Sequence, residues 1–170
     1  RGDGVVGLDN VNDYYPRGLK RARMKKLKEI GVHVVEADLN DATTVRTVLD
    51  TCKVTIVLHL AAQAGVRYAV KNPGAYVHSN VAGFVTLLEE IVRTKPVPKV
   101  IFASSSSVYG LNTKVPFSEK DVTDSPASLY AATKKADELL AHTYNHIHGV
   151  ALTALRFFTV YGPYGRPDMA

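Results

Sequence analysis

Apolar positions along the chain fall into two alternating rhythms. Runs rich in β-branched residues, VVGLD (5–9), GVHVVEADL (31–39), TIVLHLAA (55–62), KVIFASSS (99–106) and VALTALRFFTV (150–160), read as strands. Between them the spacing turns helical, over about 19–30, 42–50, a long stretch from Pro73 or Ala75 to Arg93, and 126–148. The long helix carries its apolar stripe on Val77, Val81, Phe84, Val85, Leu88 and Val92. Strands that are apolar on both faces, TIVLHLAA most clearly, and that alternate with helices predict an α/β fold. The expected form is a Rossmann-like, doubly wound parallel sheet with helices on both faces.

Ligands of such sheets bind at the carboxyl ends of the strands, and polar residues stand there. Asp9 and Asn10 follow the first strand, Asp38 the second, and Ala61, Ala62 and Gln63 the third. The serine strand ends in Ser104 to Ser107, and the last strand delivers Thr159. An acid in such a place either accepts from adenosine ribose hydroxyls or caps a helix or turn. Repetition at successive strand ends favours the ligand. One part of a dinucleotide fold is missing. G-x-G occurs only as Gly2-Asp3-Gly4, before the first visible strand rather than between strand and helix. The sheet is therefore expected to lack its first strand and glycine-rich loop, and both ends of the chain look cut.

Composition narrows the classes. The 170 residues are 46% hydrophobic and 22% charged, ordinary values for a globular protein. Cys52 is the single cysteine, so a disulfide framework or thiolate metal cluster within one chain is excluded. No apolar run is long enough to span a membrane, and an anchor is possible only outside this segment. The net charge of +5 owes much to RGLKRARMKKLKE (17–29). That cluster lacks interleaved aromatics and any nucleic-acid-binding pattern, and reads as the solvated face of a surface helix. His142, His146 and His148 crowd one helix end, but no carboxylate or cysteine completes a metal site. His59 reads as a hydrogen-bonded core residue, and Tyr109 and Gly110 as structural.

The chemistry centres on SLYAATKKADE (128–138). Tyr130 and Lys134 are spaced i,i+4 and share a helix face. A free phenol, with a pKa of about 10, is a poor base at neutral pH, but a nearby ammonium favours its phenolate. Ser105 ends the strand expected beside this helix and can donate to a substrate oxygen while the tyrosine takes a proton.

With these residues the chain resembles the NAD-dependent epimerase/dehydratase family of the extended short-chain dehydrogenase/reductase superfamily. Within that family it is most similar to the nucleotide-sugar 4-epimerases that act on UDP-glucuronate. The resemblance is carried by HLAAQAGVRYA (59–69), NPGAYVHSNVAG (72–83), FASSSSVYG (102–110), PASLYAATKKADE (126–138) and LRFFTVYGPYGRPDMA (155–170), and DNVNDYY (9–15) agrees with it. It implies a parent of roughly twice this length. Residues 1–160 would form part of its NAD-binding domain, and 161–170 would begin a UDP-sugar-binding region.

The resemblance also implies roles. Asp9 and Asn10 match adenosine-ribose positions, and Asp38 with Leu39 matches the pair beside the adenine. Leu60 to Gln63 line the cofactor, and Asn80 approaches it from the long helix. Tyr130 corresponds to the general base, Lys134 to its partner and Ser105 to the catalytic serine. Ser106, Ser107, Thr159 and Arg166 fall near the sugar, with Arg67 a weaker candidate. The implied reaction interconverts UDP-glucuronate and UDP-galacturonate through a 4-keto sugar. Related dehydratases carry an Asp-Glu pair after the catalytic hydroxyl and decarboxylases keep the Glu, whereas Ser106 and Ser107 stand here. A UDP-galactose-type epimerase, a UDP-glucuronate decarboxylase and a catalytically silent interaction domain are the alternatives. The family further implies a homodimer, with a Golgi membrane location for a plant protein, where the product feeds pectin synthesis, and a cytoplasmic one for a bacterial protein.

Overall fold

The computed structural model describes residues 2–167. Its elements follow the order β1 (Val6–Asp9), α1 (Arg17–Glu29), β2 (His33–Glu36), α2 (Ala42–Thr51), β3 (Ile56–His59), α3 (Tyr68–Lys71), α4 (Pro73–Tyr76), a π-helical segment (Val77–Ala82), α5 (Gly83–Arg93), β4 (Lys99–Ser105), a 3-10 turn (Ser106–Tyr109), α6 (Leu129–His148) and β5 (Leu152–Phe157). Every strand and long helix expected from periodicity is present. The expected α6 begins late. Residues 126–128 lie before it, and Ser128, in extended backbone, caps the helix by accepting from the Ala131 amide at 3.1 Å. The short α3 has no counterpart in the apolar pattern.

All strand pairs are parallel, in two sheets: β1 with β2, and β3 with β4 and β5. Chain order advances in opposite directions in the two sheets, so right-handed crossovers put helices on opposite faces, as in a doubly wound fold. An apolar groove of about 360 Å³ runs between the sheets, lined from one side by Val6 and Leu8 and from the other by Ile56, Leu58 and Leu60. Here the structure corrects the sequence reading. Ile56 and Leu58 are each 59% exposed, so TIVLHLAA is covered on one face only. Its continuous apolar run suits a strand with neighbours on all sides, and the groove is the side on which none is present among the described residues.

The core lies where α2, α5 and α6 pack together over the larger sheet. Phe84, Leu88 and Ile91 of α5 are fully buried against Val100 and Phe102 of β4 and Val150 before β5. Glu90, on the same helix, is tolerated in this core because Arg46 and Arg93 both reach its carboxylate. His59 differs from expectation. It is buried and stacks on Phe84 with ring centroids 5.2 Å apart, but its Nε2 has no partner. Burial, reinforced by the charge of Lys134, pulls it down to about 3, so it is neutral at physiological pH.

Candidate active site

The carboxyl ends of β1, β2, β3, β4 and β5 border one cleft of about 540 Å³. The wall expected to meet adenosine, at the ends of β1 and β2, is local in origin. Asp9 ends β1, and its Oδ1 accepts from the Val11 amide at 2.7 Å, folding the loop back. Val11 itself is buried with φ 46°, a strained setting for a β-branched residue. Asn10 donates to Asp38 at 3.0 Å, joining the ends of the first two strands. Asp38 also accepts from the backbone and side chain of Asn40 and lies 3.1 Å from His78 Nε2. Desolvation pushes its pKa upward, but the hydrogen bonds from Asn10, Asn40 and His78 prevail and hold it well below the carboxylate range. Asp9, Asn10, Asp38 and Leu39 all line the cleft.

The floor comes from the loop after β3. Leu60, Ala61, Ala62 and Gln63 line the cleft, as expected. Asn80 does not. It is fully buried in the π-helical segment, and its amide is committed to three bonds: from Gln63 N (2.8 Å), to Gln63 O (3.1 Å) and to Thr133 Oγ1 (2.9 Å). It ties the cleft floor to α6 one residue before Lys134. A π-turn shifts side-chain phase within a helix and so can aim one residue out of the regular stripe. Tyr76, unassigned by sequence reasoning, is equally structural to the site. Its buried hydroxyl donates to the carbonyls of Ala64 and Gly65, and its ring meets Tyr130 edge-on at 6.3 Å. Gly65 has φ +99°, and a Cβ there would meet Tyr14 Oη at 3.1 Å. Arg67 is exposed, caps α3 and is not among the residues lining the cleft.

The wall expected to be catalytic joins β4 to α6. Ser105 is in extended backbone at the strand end, buried, and its Oγ accepts from the Ser107 amide at 3.1 Å. That bond fixes the oxygen and leaves its proton to be donated into the cleft. The turn then ends at Gly110, where a Cβ would lie 1.9 Å from the Ser125 carbonyl oxygen, so the structural reading of this glycine stands. Tyr130 and Lys134 share the cleft face of α6 with Ser105 opposite, and Ser106 and Ser107 line the same space. Lys134 is 2% exposed and donates to Asp137 at 2.9 Å. Thr159 and Arg166 border the cleft from the segment after β5, and Arg166 stacks on the Tyr14 ring. Residues 168–170 of the RPDMA segment lie outside the described residues.

This geometry has known counterparts. The model of the family described as GDP-mannose 4,6 dehydratase matches residues 1–170. The chain belongs to that family. It is 68% identical over its whole length to UDP-glucuronate 4-epimerase 3 of Arabidopsis thaliana, of which it covers 40%. The UDP-glucuronic acid 4-epimerase of Bacillus cereus, solved with UDP-glucuronic acid and NAD, superposes with a TM-score of 0.89 at 35% identity, over 98% of this chain and 52% of that one. A tyrosine-to-phenylalanine variant of that enzyme, solved with UDP-4-deoxy-4-fluoro-glucuronic acid and NAD, gives the same TM-score of 0.89 at 34% identity, again over 98% and 52%. The chain thus spans about two fifths of its curated relative and half of its solved ones.

The described residues suit NAD at both of its ends. Polar groups at the ends of β1 and β2 would meet its adenosine, and a buried ammonium with a phenol and a serine hydroxyl would meet its nicotinamide. The glycine-rich pyrophosphate turn is not among them.

Proposed function

We propose that the full-length protein interconverts UDP-glucuronate and UDP-galacturonate by reversible, NAD-dependent oxidation at sugar C4. The observation that carries this reading is the convergence of Ser105, Tyr130 and Lys134 on one cleft in which the next two positions, Ser106 and Ser107, bear hydroxyls rather than carboxylates. Residues 1–160 act as the NAD-binding unit, and 161–170 begin the region that receives the UDP-sugar.

Tyr130, as phenolate, removes the proton of the C4 hydroxyl, and the Lys134 ammonium stabilises that phenolate. Ser105 donates to the C4 oxygen and holds it in line. Bound NAD would supply the acceptor for the C4 hydride and the donor for its return, so the reaction has no net redox change. The ketone turns in the cleft between the two transfers, and Tyr130 returns its proton to the opposite epimer.

The 4-keto sugar is a β-keto acid, and it loses carbon dioxide only if the bond from C5 to the carboxylate aligns with the carbonyl π system. In this reading Thr159, Ser106 and Arg166, which border the cleft, hold the carboxylate out of that alignment. Ser106 and Ser107 offer no carboxyl group for elimination across C5 and C6, which favours epimerisation over dehydration.

Product analysis of the full-length protein given UDP-glucuronate is the test. UDP-galacturonate supports the reading; UDP-xylose as the main product, or no turnover with NAD bound, overturns it. Homodimerisation rests on family likeness and is tested by sedimentation of the full-length protein. Golgi membrane placement, which would need an anchor outside this segment, and a role in pectin supply rest on the likeness of RGDGVVGLDN and GLNTKVPFSEKD to plant members. Among the described residues no helix is long and apolar enough to cross a membrane. Fractionation of the tagged full-length protein decides that location.

A further inference from the structure

α6 carries a third ionisable group on the face that presents Tyr130 and Lys134. Asp137 follows the tyrosine by seven positions and the lysine by three, so at 3.6 residues per turn the three stack along one line. Asp137 Oδ2 accepts from Lys134 Nζ at 2.9 Å, with the two side chains 1% and 2% exposed. The other oxygen, Oδ1, is buried with no hydrogen-bond partner. A half-satisfied carboxylate in such a place is costly, and an apolar residue would pack there without that cost.

The charges around this pair are otherwise accounted for. Glu138, next on α6, is held by Arg156 of β5 and Ser104 of β4. From β3 comes His59, which is neutral. The π-helical segment contributes neutral Asn80, and its His78 is turned to Asp38. On α5, Glu89 is bonded to Tyr144, and Glu90 to Arg46 and Arg93. Asp137 is therefore the anion that Lys134 meets.

We propose that Asp137 is a positioning residue that acts through Lys134, fixing the ammonium on the α6 face and setting how much of its positive charge reaches the Tyr130 phenol. This rests on the role given to Tyr130 and Lys134 above. An ammonium beside a carboxylate presents a dipole rather than a full charge, and its field falls off faster with distance. Ionised Asp137 thus opposes the phenolate, while protonated or amidated Asp137 leaves the ammonium free to favour it. Burial, against the opposing pull of Lys134, pushes Asp137 up to about 6, which brings this ionisation close to neutral pH.

The test is Asp137→Asn in the full-length, NAD-loaded protein. The amide keeps an acceptor for Lys134 and removes the charge. Above about pH 6, where Asp137 is ionised, kcat on the acid limb is expected to exceed the wild-type value by about tenfold. The two profiles should converge below it. Asp137→Glu, which restores the charge, should return the limb towards wild type. Superimposable profiles, a uniform fall in kcat at all pH values, or a Glu variant that behaves like Asn each overturn the proposal. A second readout needs no substrate: the ultraviolet phenolate band, taken as the difference from the corresponding Tyr130→Phe protein, should appear at lower pH in Asp137→Asn. An unchanged band position overturns the role of Asp137 even if UDP-glucuronate proves not to be the substrate, and a shifted band supports it in that case too.

Discussion

The two walls of the cleft are built by different means. On the adenosine side, α1 buries no residue, and β1 and β2 form a two-stranded sheet of half-exposed and exposed positions. On the catalytic side, Phe84, Leu88 and Ile91 of α5 are fully buried, and Asn80, Lys134 and Asp137 are polar groups enclosed with them at 2% exposure or less. The catalytic wall is thus held by its own core, whereas the adenosine wall is held by loop hydrogen bonds and by Leu8 and Leu39, which pack half-buried against the edge of that core. Regions with few buried apolar contacts open at low free-energy cost. In the proposed mechanism the base and its lysine sit where geometry must hold to a fraction of an ångström, and the cofactor's adenosine would meet the more yielding wall.

The sharpest break of this contrast is at the base itself. Tyr130→Phe in the full-length protein should lower kcat by about 10²–10⁴-fold while NAD remains bound; turnover near wild type would show that another group takes the proton. Next comes the core beneath the catalytic wall. Phe84→Ala should destabilise the protein by about 3–5 kcal/mol in denaturant unfolding, because it removes a fully buried ring between His59 and Phe102. Asn80→Ala should cost about 1–3 kcal/mol through the unpaired Gln63 backbone, and should lower kcat by loosening the cleft floor against α6.

The adenosine wall should respond more weakly, and in a pH-dependent way. Asp38 has a folded-state pKa below its ordinary 3.8, so its stabilising contribution is complete above that pH and is lost as pH falls towards the folded value. Wild type and Asp38→Asn should therefore differ in unfolding free energy at neutral pH and converge in acid below about 3.8. The Asn variant should also hold NAD about tenfold less tightly if the carboxylate organises the nucleotide pocket, a change of about 1.4 kcal/mol. Smallest of all, Leu27→Ala on α1 should change stability by less than about 0.5 kcal/mol, since that side chain is 38% exposed. A large loss there would show that α1 belongs to a core after all.

Much was legible from local pattern alone. Strands and helices follow from periods of two and 3.6, polar groups at strand ends mark the ligand edge, and the i,i+4 spacing of Tyr130 and Lys134 puts them on one face whatever surrounds the helix. The Ser105–Ser107 run and the glycine at 110 are likewise short-range features, one ending a strand and the other a turn. These are properties of neighbours in sequence, so they survive without knowledge of the rest of the chain.

What the tertiary structure decided concerns partners far apart. Asn80 was expected to approach the cofactor, yet it bonds to residues 17 and 53 positions away and serves the cleft from beneath. His59 was expected to be hydrogen-bonded and instead stacks on Phe84 with Nε2 unpartnered, since periodicity tells that a side chain is buried but not what faces it. Arg67, just before the short α3 that the apolar pattern does not reveal, is exposed and is not among the residues lining the cleft. Ile56 and Leu58 are exposed because burial of a central strand depends on the strands beside it. The sequence by itself determined which groups could do chemistry and on which element each stands; only packing, which is set by non-local contacts, decided which of them meet and with what charge beside them.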